Sequence, residues 1–263
     1  MRVRTSDGHE LSVRIIGDGS LPVLFIHGWM VSGAVWSDLF EILHPRGQKL
    51  IVPDHRGSGD SDRPDNGYTI DRYVEDMIAV ADAAGAKRFA VVGHSMGGQI
   101  AQVLAARHPE RVIGAALLSP VPASGIPMPP EVVELFSTCA GNREKQTAIL
   151  GAACKELSAA TRDRILDDSV RTSEPCIRQA FEAFRTGGYE AELGDIRAPV
   201  LCVACDDPFF PIDFLQKAVV GQIARGSLVH LPGPGHYLAN ERPRETAAIV
   251  GAFLAGLPRE ADA

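Results

Sequence analysis

The sequence lacks the features that mark membrane-spanning, secreted and nucleic-acid-binding proteins. The apolar stretch at residues 22–26 is far too short to cross a bilayer, and residues 1–5 are followed by polar residues rather than by the apolar core of a signal peptide. The 26 basic residues are scattered, and the formal net charge of −7 disfavours a surface that binds phosphate backbones. We therefore expect a cytoplasmic protein that binds neither a nucleic acid nor a membrane.

Cysteine is scarce, and its odd number argues against a disulfide framework. Five cysteines are present, of which Cys202 and Cys205 form a C-x-x-C pattern. Cys202 lies in an apolar run at residues 200–204, where a cysteine acts as a small buried hydrophobic residue. Because no second cysteine pair or histidine cluster completes a zinc site, we predict no metal. No dinucleotide or phosphate-binding fingerprint is present, so we predict no cofactor either.

The order of apolar patterns predicts the fold class. Short apolar runs typical of buried strands alternate with amphipathic patterns typical of helices, which indicates a mostly parallel sheet flanked by helices, an α/β fold. The strand patterns lie at residues 10–16, 23–26, 50–52, 89–92, 113–118, 200–204 and 227–231. The helix patterns of this part lie at residues 34–43, 71–84, 99–107, 212–220 and 245–254. At 263 residues, the chain is long enough for one such domain with an insertion.

Residues 121–193 interrupt the alternation of strands and helices. This segment begins with a cluster of prolines and then shows four helical patterns, at residues 131–139, 144–154, 159–170 and 174–185. Chemistry in a parallel α/β sheet lies in loops at the carboxyl ends of the strands. We therefore predict an α/β core domain formed by residues 1–120 and 194–263, with residues 121–193 as a helical cap over that edge.

The motif that carries the chemistry is Gly93-His94-Ser95-Met96-Gly97. It matches G-x-S-x-G directly after a predicted strand and directly before a predicted helix, which is the context of a nucleophile elbow. A sharp turn there exposes the Ser95 hydroxyl, while the glycines allow neighbouring backbone to pass closely. The pattern predicts Ser95 as the nucleophile of a covalent reaction.

The whole chain resembles the α/β-hydrolase superfamily. The resemblance rests on His27-Gly28-Trp29, the loop at residues 54–59, the motif around Ser95 and the pair Gly235-His236. It implies that the backbone N–H groups of Trp29 and Met96 form an oxyanion hole. Similar enzymes carry their catalytic histidine in the loop that holds Gly235-His236, so the resemblance implies His236 as the base. His230 lies within a strand pattern and is expected to pack instead.

The resemblance also implies an acid in the loop that follows the strand at residues 200–204. The family pattern G-x-x-D-x-x-x-P, aligned on Pro211, places the acid at Asp207, with Ala204 where glycine is usual. Asp206 is the alternative, with a loop-capping or solvated role otherwise. The chain order Ser95, Asp207, His236 agrees with this scaffold.

Several further residues are candidates for the substrate pocket. Apolar side chains near the predicted site could form a pocket wall or belong to the core. His27 and His94 flank the predicted oxyanion donor and nucleophile, and we favour supporting roles for both over proton transfer. The pocket candidates are His27, Met30, His94, Met128, Phe136, Phe209 and Phe210.

A serine at the elbow indicates an acyl-enzyme route and disfavours the branches of the superfamily that use aspartate there. The first expectation is a carboxylesterase or lactonase that acts on a small, fairly apolar ester without a cofactor. A carbon–carbon bond hydrolase with the same triad is an alternative. Residues 171–181 and 199–211 also resemble stress-signalling hydrolases and butenolide receptors, and a cofactor-free dioxygenase of this fold is a fourth reading. The sequence leaves the oligomeric state open.

Overall fold

Eight strands form one sheet within residues 1–43 and 47–258, the part of the chain that this computed structural model describes. In chain order they are β1 (Arg2–Arg4), β2 (Glu10–Ile16), β3 (Leu21–Ile26), β4 (Gln48–Pro53), β5 (Phe89–His94), β6 (Val112–Leu118), β7 (Val200–Cys205) and β8 (Gly226–Leu231). Their order across the sheet is β1, β2, β4, β3, β5, β6, β7, β8. β1 and β2 pair in antiparallel fashion, as do β2 and β4, and the other neighbours are parallel. The predicted fold class is confirmed.

Helices cover both faces of the sheet. In chain order they are α1 (Ser37–Phe40), α2 (Ile70–Ala83), α3 (Met96–Arg107), α4 (Pro130–Ser137), α5 (Arg143–Ala153), α6 (Ala159–Ser169), α7 (Glu174–Thr186), α8 (Ile212–Ala218), α9 (Leu238–Glu241) and α10 (Pro243–Ala255). On β3, Leu24 and Ile26 face the core that contains α2, α3 and α8, whereas Val23 and Phe25 face the core that contains α1, α9 and α10. Burial on both faces explains why this strand is a continuous apolar run.

The segment between β6 and β7 is helical throughout its regular structure. It contains α4 to α7, and no strand occurs between residues 119 and 199, all of which are described. Phe136, Phe181 and Phe184 of these helices are buried against Trp29, which follows β3. The helical patterns of the sequence agree with these elements. Division of the chain into a core and a cap domain stays a prediction.

The helix predicted at residues 34–43 is wrong in length. A 3₁₀ turn occupies Gly33–Trp36, and α1 is one turn that ends at Phe40. Trp36 is fully buried and meets the ring of Phe25 edge to face, and the side chain of Asn240 donates to the carbonyl oxygen of Val35. These tertiary contacts satisfy the apolar spacing without a continuous helix.

The loop after β4 is held by a buried ion-pair network. The guanidinium of Arg56 donates to Asp76 at 2.7 Å and to Asp7 at 2.9 Å, and the side chain of Arg56 is fully buried. Arg56 therefore joins the loop to α2 and to the turn between β1 and β2. Among the described residues, none of the helices has the length and apolar character needed to cross a membrane.

Candidate active site

Ser95 occupies a strained turn between β5 and α3. Its φ of 56° and ψ of −122° lie outside the regions that side-chain-bearing residues favour. A Cβ on Gly93 would overlap the backbone of Gly97, and a Cβ on Gly97 would overlap the carbonyl of Ile26. The glycines of the motif are therefore required by close backbone contacts. The turn directs the Ser95 side chain away from the sheet and into a cavity, and Ser95 is one of the residues that line this cavity.

Hydrogen bonds from the neighbouring strand fix the backbone of Ser95. Its N–H donates to the carbonyl of Leu118 at 3.1 Å, and its carbonyl accepts from the N–H of Val121 at 3.0 Å. Both partners belong to the chain around the end of β6. Hydrogen bonds to residues outside the turn thus stabilise its strained backbone, as residues in sparsely populated conformations require.

His236 and Asp207 form a buried pair beside the same cavity. Nδ1 of His236 lies 2.6 Å from Oδ2 of Asp207, and the two residues are 7% and 4% exposed. Burial opposes the ionisation of Asp207, but the adjacent imidazole and the hydrogen bonds to both carboxyl oxygens outweigh it. The pKa of Asp207 is therefore held below its ordinary value. An ionised partner at Nδ1 leaves the lone pair of the neutral His236 ring on Nε2.

Asp206 points away from this pair. Its oxygens contact Nε2 of His230 at 2.9 Å and the N–H of Gly233 at 3.1 Å. Of the two carboxylates that the sequence left open, Asp207 is the one in contact with His236. The expectation that His230 packs into the fold is wrong, because β8 is the edge strand and presents its outward face to solvent.

The loop after β3 lies against the nucleophile turn. A Cβ on Gly28 would stand 3.1 Å from Cβ of Ser95. Nδ1 of His27 donates to the carbonyl of Gly28 at 2.8 Å, while Nε2 of His27 accepts from the N–H of His55 at 2.9 Å. Because a trans peptide directs its carbonyl and N–H oppositely, the bond from His27 fixes the direction of the N–H of Trp29.

The two backbone N–H groups predicted as oxyanion donors belong to the residues that follow Gly28 and Ser95, which lie in close contact. Within the described residues, the N–H groups of Trp29 and Met96 make no backbone hydrogen bond. Trp29 itself is held by its indole, which donates to the carbonyl of Ile177 at 2.9 Å and stacks on the ring of Phe136 at 5.2 Å. Met30, the next residue, adopts a φ of 67°, so the chain turns sharply directly after the donor.

A largely apolar cavity joins these groups. Its wall combines Ser95 and His236 with side chains from the β3 loop, the helical segment and the β7 loop. The lining residues are Trp29, Met30, Ser95, Val121, Met128, Phe136, Ile149, Phe184, Phe209, Phe210, His236 and Tyr237. The described wall contains no Asp, Glu, Lys or Arg. Met30, Met128, Phe136, Phe209 and Phe210 were pocket candidates, whereas Val121, Ile149, Phe184 and Tyr237 were missed.

His27 and His94 do not line the cavity, which corrects their place among the pocket candidates. Both are almost fully buried, and burial lowers the pKa of each to about 3. His27 packs against the ring of His55, and Nε2 of His94 donates to the carbonyl of His236 at 2.8 Å. Each neutral imidazole supports the backbone of a neighbouring loop.

Ser119 is a site residue that the sequence reasoning missed. It follows β6 with a φ of 43°, and its hydroxyl donates to Oδ2 of Asp207 in a short hydrogen bond. The sequence signal that could have indicated Ser119 is its position directly after β6, the strand that lies between β5 and β7 in the sheet. Ser119 belongs to no catalytic motif, and it contributes a hydroxyl that binds the carboxylate of the loop after β7.

The cysteines lie apart from the cavity wall. All five are free, and burial raises the pKa of both Cys202 and Cys205 to about 12. The Sγ atom of Cys205 donates to the carbonyl of Gly235 at 3.0 Å, so it supports the loop of His236. Across residues 1–43 and 47–258, no group of three His, Cys, Asp or Glu side chains is arranged to hold a metal ion.

Comparison with known proteins agrees with the fold. Residues 22–146 match the family model described as the alpha/beta hydrolase fold. Over 123 residues the chain is 38% identical to a non-heme chloroperoxidase of Streptomyces lividans, an alignment that covers 46% of this chain and 44% of that protein. The chain thus spans less than half the length of this curated relative.

Solved structures match nearly the whole chain. An esterase from Exiguobacterium antarcticum superposes with a TM-score of 0.91 at 21% identity and covers 97% of this chain and 99% of that chain. Est816, described as an N-acyl homoserine lactone degrading enzyme, superposes with a TM-score of 0.80 at 29% identity over 96% of this chain and 100% of that chain. With the sheet order and the turn at Ser95, these matches show that the chain has the α/β-hydrolase fold.

Proposed function

We propose that this protein is a serine hydrolase that cleaves a small, neutral and fairly apolar carboxylic ester or lactone. The observation that carries the proposal is that Ser95 and His236 line one cavity while Asp207 binds Nδ1 of the His236 ring, which leaves Nε2 for the serine. This is the arrangement of nucleophile, base and orienting acid that acyl transfer requires. No other described cavity combines a serine with a histidine held by a carboxylate.

The proposed reaction proceeds through an acyl-enzyme. Oγ of Ser95 attacks the carbonyl carbon of the substrate, and Nε2 of His236 takes the hydroxyl proton. The N–H groups of Trp29 and Met96 stabilise the oxyanion, and His236 then protonates the departing alcohol. A water molecule, activated by His236, releases the acid from Ser95. Asp207 keeps its charge throughout and stabilises the imidazolium.

In the described residues, Oγ of Ser95 and Nε2 of His236 make no hydrogen bond shorter than 3.5 Å. Catalytic hydrogen bonds are often long in the absence of substrate and shorten in the reacting complex. In the proposed cycle, these two atoms therefore come within hydrogen-bond distance when the substrate binds.

The chemistry of the cavity wall supports a neutral, apolar acyl group. Phe136, Phe209 and Phe210 present ring surfaces, and the described wall offers no fixed charge to a carboxylate or an ammonium group. The names of similar proteins, an esterase and an enzyme that degrades a lactone, are in line with a neutral carbonyl substrate. In this proposal, the helical segment at residues 121–193 forms a cap that closes the cavity.

The experiment is hydrolysis of p-nitrophenyl acetate and butyrate and of a panel of small lactones. We expect turnover by the wild-type protein and at least about a thousandfold loss in Ser95→Ala. Ser37→Ala is the matched control, because Ser37 is partly exposed at the start of α1 and its hydroxyl donates to the nearby carbonyl of Ala34. Turnover of diketones but not esters would favour carbon–carbon bond hydrolysis instead. Negligible turnover together with tight binding to a protein partner would favour signalling.

A further inference from the structure

One buried carboxylate near His236 has no part in the proposed triad. Glu241 ends α9, five residues after His236, and is 9% exposed. Its Oε2 accepts from the N–H groups of Lys155 at 2.8 Å, Glu156 at 2.7 Å and Gly235 at 3.1 Å. Its Oε1 accepts from the N–H of Tyr237 at 3.2 Å. Four backbone donors therefore converge on a single carboxylate.

These donors come from two separate parts of the chain. Gly235 and Tyr237 flank His236, whereas Lys155 and Glu156 belong to the link between α5 and α6. The N–H of His236 also donates to the carbonyl of Ala153 at 2.9 Å. The loop of the proposed base is thus fastened to the end of α5 on both sides of the histidine.

The close contact between these two parts leaves no room for adjustment. A Cβ on Gly235 would overlap the carbonyl of Ala153 and would lie 3.0 Å from Cα of Cys154. Within the described residues Glu241 makes no ion pair, so the backbone N–H dipoles replace the water that its charge loses on burial. A carboxylate suits this place because both of its oxygens are acceptors, whereas an amide would turn its NH2 group toward at least one of these N–H donors.

We propose that Glu241 is a positioning residue for the proposed hydrolysis. It fixes the backbone on both sides of His236 and so the direction in which Nε2 faces Ser95, and it fastens this loop to the helical segment that supplies Ile149 to the cavity wall. The inference rests on the proposed function of Ser95 and His236. It assigns Glu241 no contact with the substrate.

The test compares Glu241→Gln with Glu245→Gln in the full-length protein. Glu245 lies four residues further on, in α10, and among the described residues its exposed carboxylate forms an ion pair with Arg242 alone. Steady-state hydrolysis of p-nitrophenyl butyrate gives kcat and KM, and titration with a serine-reactive phosphonate gives the number of competent sites. We expect Glu241→Gln to lower kcat per titrated site at least about tenfold with KM changed less than threefold, and Glu245→Gln to match wild type.

A second variant covers the case in which Glu241→Gln does not fold. Glu241→Asp keeps the charge but shortens the side chain, so it cannot reach both groups of donors, and we expect the same fall in kcat per site. Unchanged kcat per titrated site in a folded variant would overturn the positioning role, including when total activity falls because fewer molecules fold. If the wild-type protein shows no turnover that depends on Ser95, the proposed function itself falls, and this inference falls with it.

Discussion

Nε2 of His94 lies 2.8 Å from the carbonyl oxygen of His236, so the residue before the proposed nucleophile holds the loop of the proposed base. The two rings are 4.8 Å apart, and His94 is buried and neutral because burial lowers its pKa to about 3. A neutral ring donates one hydrogen, and here that hydrogen joins the nucleophile turn after β5 to the loop after β8.

Replacement of His94 by phenylalanine removes this donor while it keeps a ring of similar size. One hydrogen bond contributes about 1 kcal/mol net, and leaving the His236 carbonyl unpaired costs more, so we predict about a tenfold fall in kcat/KM toward p-nitrophenyl butyrate. His108→Phe is the control, since His108 is partly exposed at the end of α3. Equal kinetics for both variants would show that the bond from His94 to the base loop has no catalytic consequence.

Asp207→Asn tests the assignment of the acid. An amide at this position leaves His236 in the wrong tautomer, and we predict a fall in kcat of about 10⁴. Asp206→Asn is the matched control, because Asp206 contacts His230 and Gly233 instead, and its kcat should stay within about threefold of wild type. A large loss in Asp206→Asn with little change in Asp207→Asn would reverse the assignment.

Ser119→Ala removes a hydroxyl that donates to Oδ2 of Asp207. Loss of one donor to a charged acceptor costs about 1.5–3 kcal/mol, which predicts a fall in kcat/KM of about tenfold to a hundredfold. When Ser119→Ala is made in the Asp207→Asn background, the further fall in kcat/KM should be much smaller, because the charged acceptor is already absent. Independent, additive effects in this double-mutant cycle would contradict a role of Ser119 through Asp207.

The buried histidines predict a loss of stability in mild acid. His27 and His94 have pKa values of about 3 in the folded protein, whereas the ordinary value is 6.5. Between these values the unfolded chain binds more protons, so the free energy of unfolding falls as the pH falls. At pH 5 each histidine accounts for a loss of about 2 kcal/mol. Urea unfolding at pH 7 and pH 5 measures this difference, and His94→Gln should show a smaller one. A free energy of unfolding that stays constant from pH 7 to pH 5 would contradict the neutral, buried state of both rings.

Phe136 lines the cavity beside Ser95 and contacts Phe181, which lines an outer groove. Its ring stacks on Trp29 and lies 5.4 Å from the ring of Phe181, and the groove that Phe181 lines lies between α4 and α7. We predict that Phe136→Ala extends the cavity toward Phe181 and raises kcat/KM for p-nitrophenyl octanoate relative to butyrate by at least about tenfold. Val133→Ala, which widens only the groove, should leave that ratio unchanged.

Because Phe→Ala changes in a core cost about 3–5 kcal/mol, thermal unfolding of Phe136→Ala should be recorded beside its kinetics. Phe136→Leu is the milder variant if the alanine variant does not fold. A folded variant with the chain-length preference of wild type would show that Phe136 does not limit the acyl group.

Local pattern predicted most of the fold because the decisive signals are close together in the sequence. The apolar run of β5 and the turn residues after it are adjacent, so strand, elbow and helix could all be predicted around Ser95. The helix at residues 34–43 was predicted too long, since the contact of Asn240 with Val35 joins residues 205 positions apart. Spacing predicts which side chains are buried, and tertiary contacts decide where such a helix ends.

Residues that support the candidate site were harder to predict than residues that would react. Asp207 could be singled out from Asp206 only through the family spacing to Pro211, and the contact with His236 then agreed with that choice. Ser119 and Glu241 belong to no motif in their own segments. Their importance lies in hydrogen bonds to atoms 88 and up to 86 residues away, which a single sequence does not display.

The most direct test of the central claim is labelling by a p-nitrophenyl phosphonate, followed by peptide mass spectrometry. The account predicts one phosphonyl group per chain on Ser95, release of one equivalent of p-nitrophenol, and loss of ester hydrolysis in step with labelling. Ser95→Ala should neither be labelled nor turn over p-nitrophenyl butyrate. Labelling of another residue, or turnover of the Ser95→Ala variant at the wild-type rate, would contradict the account.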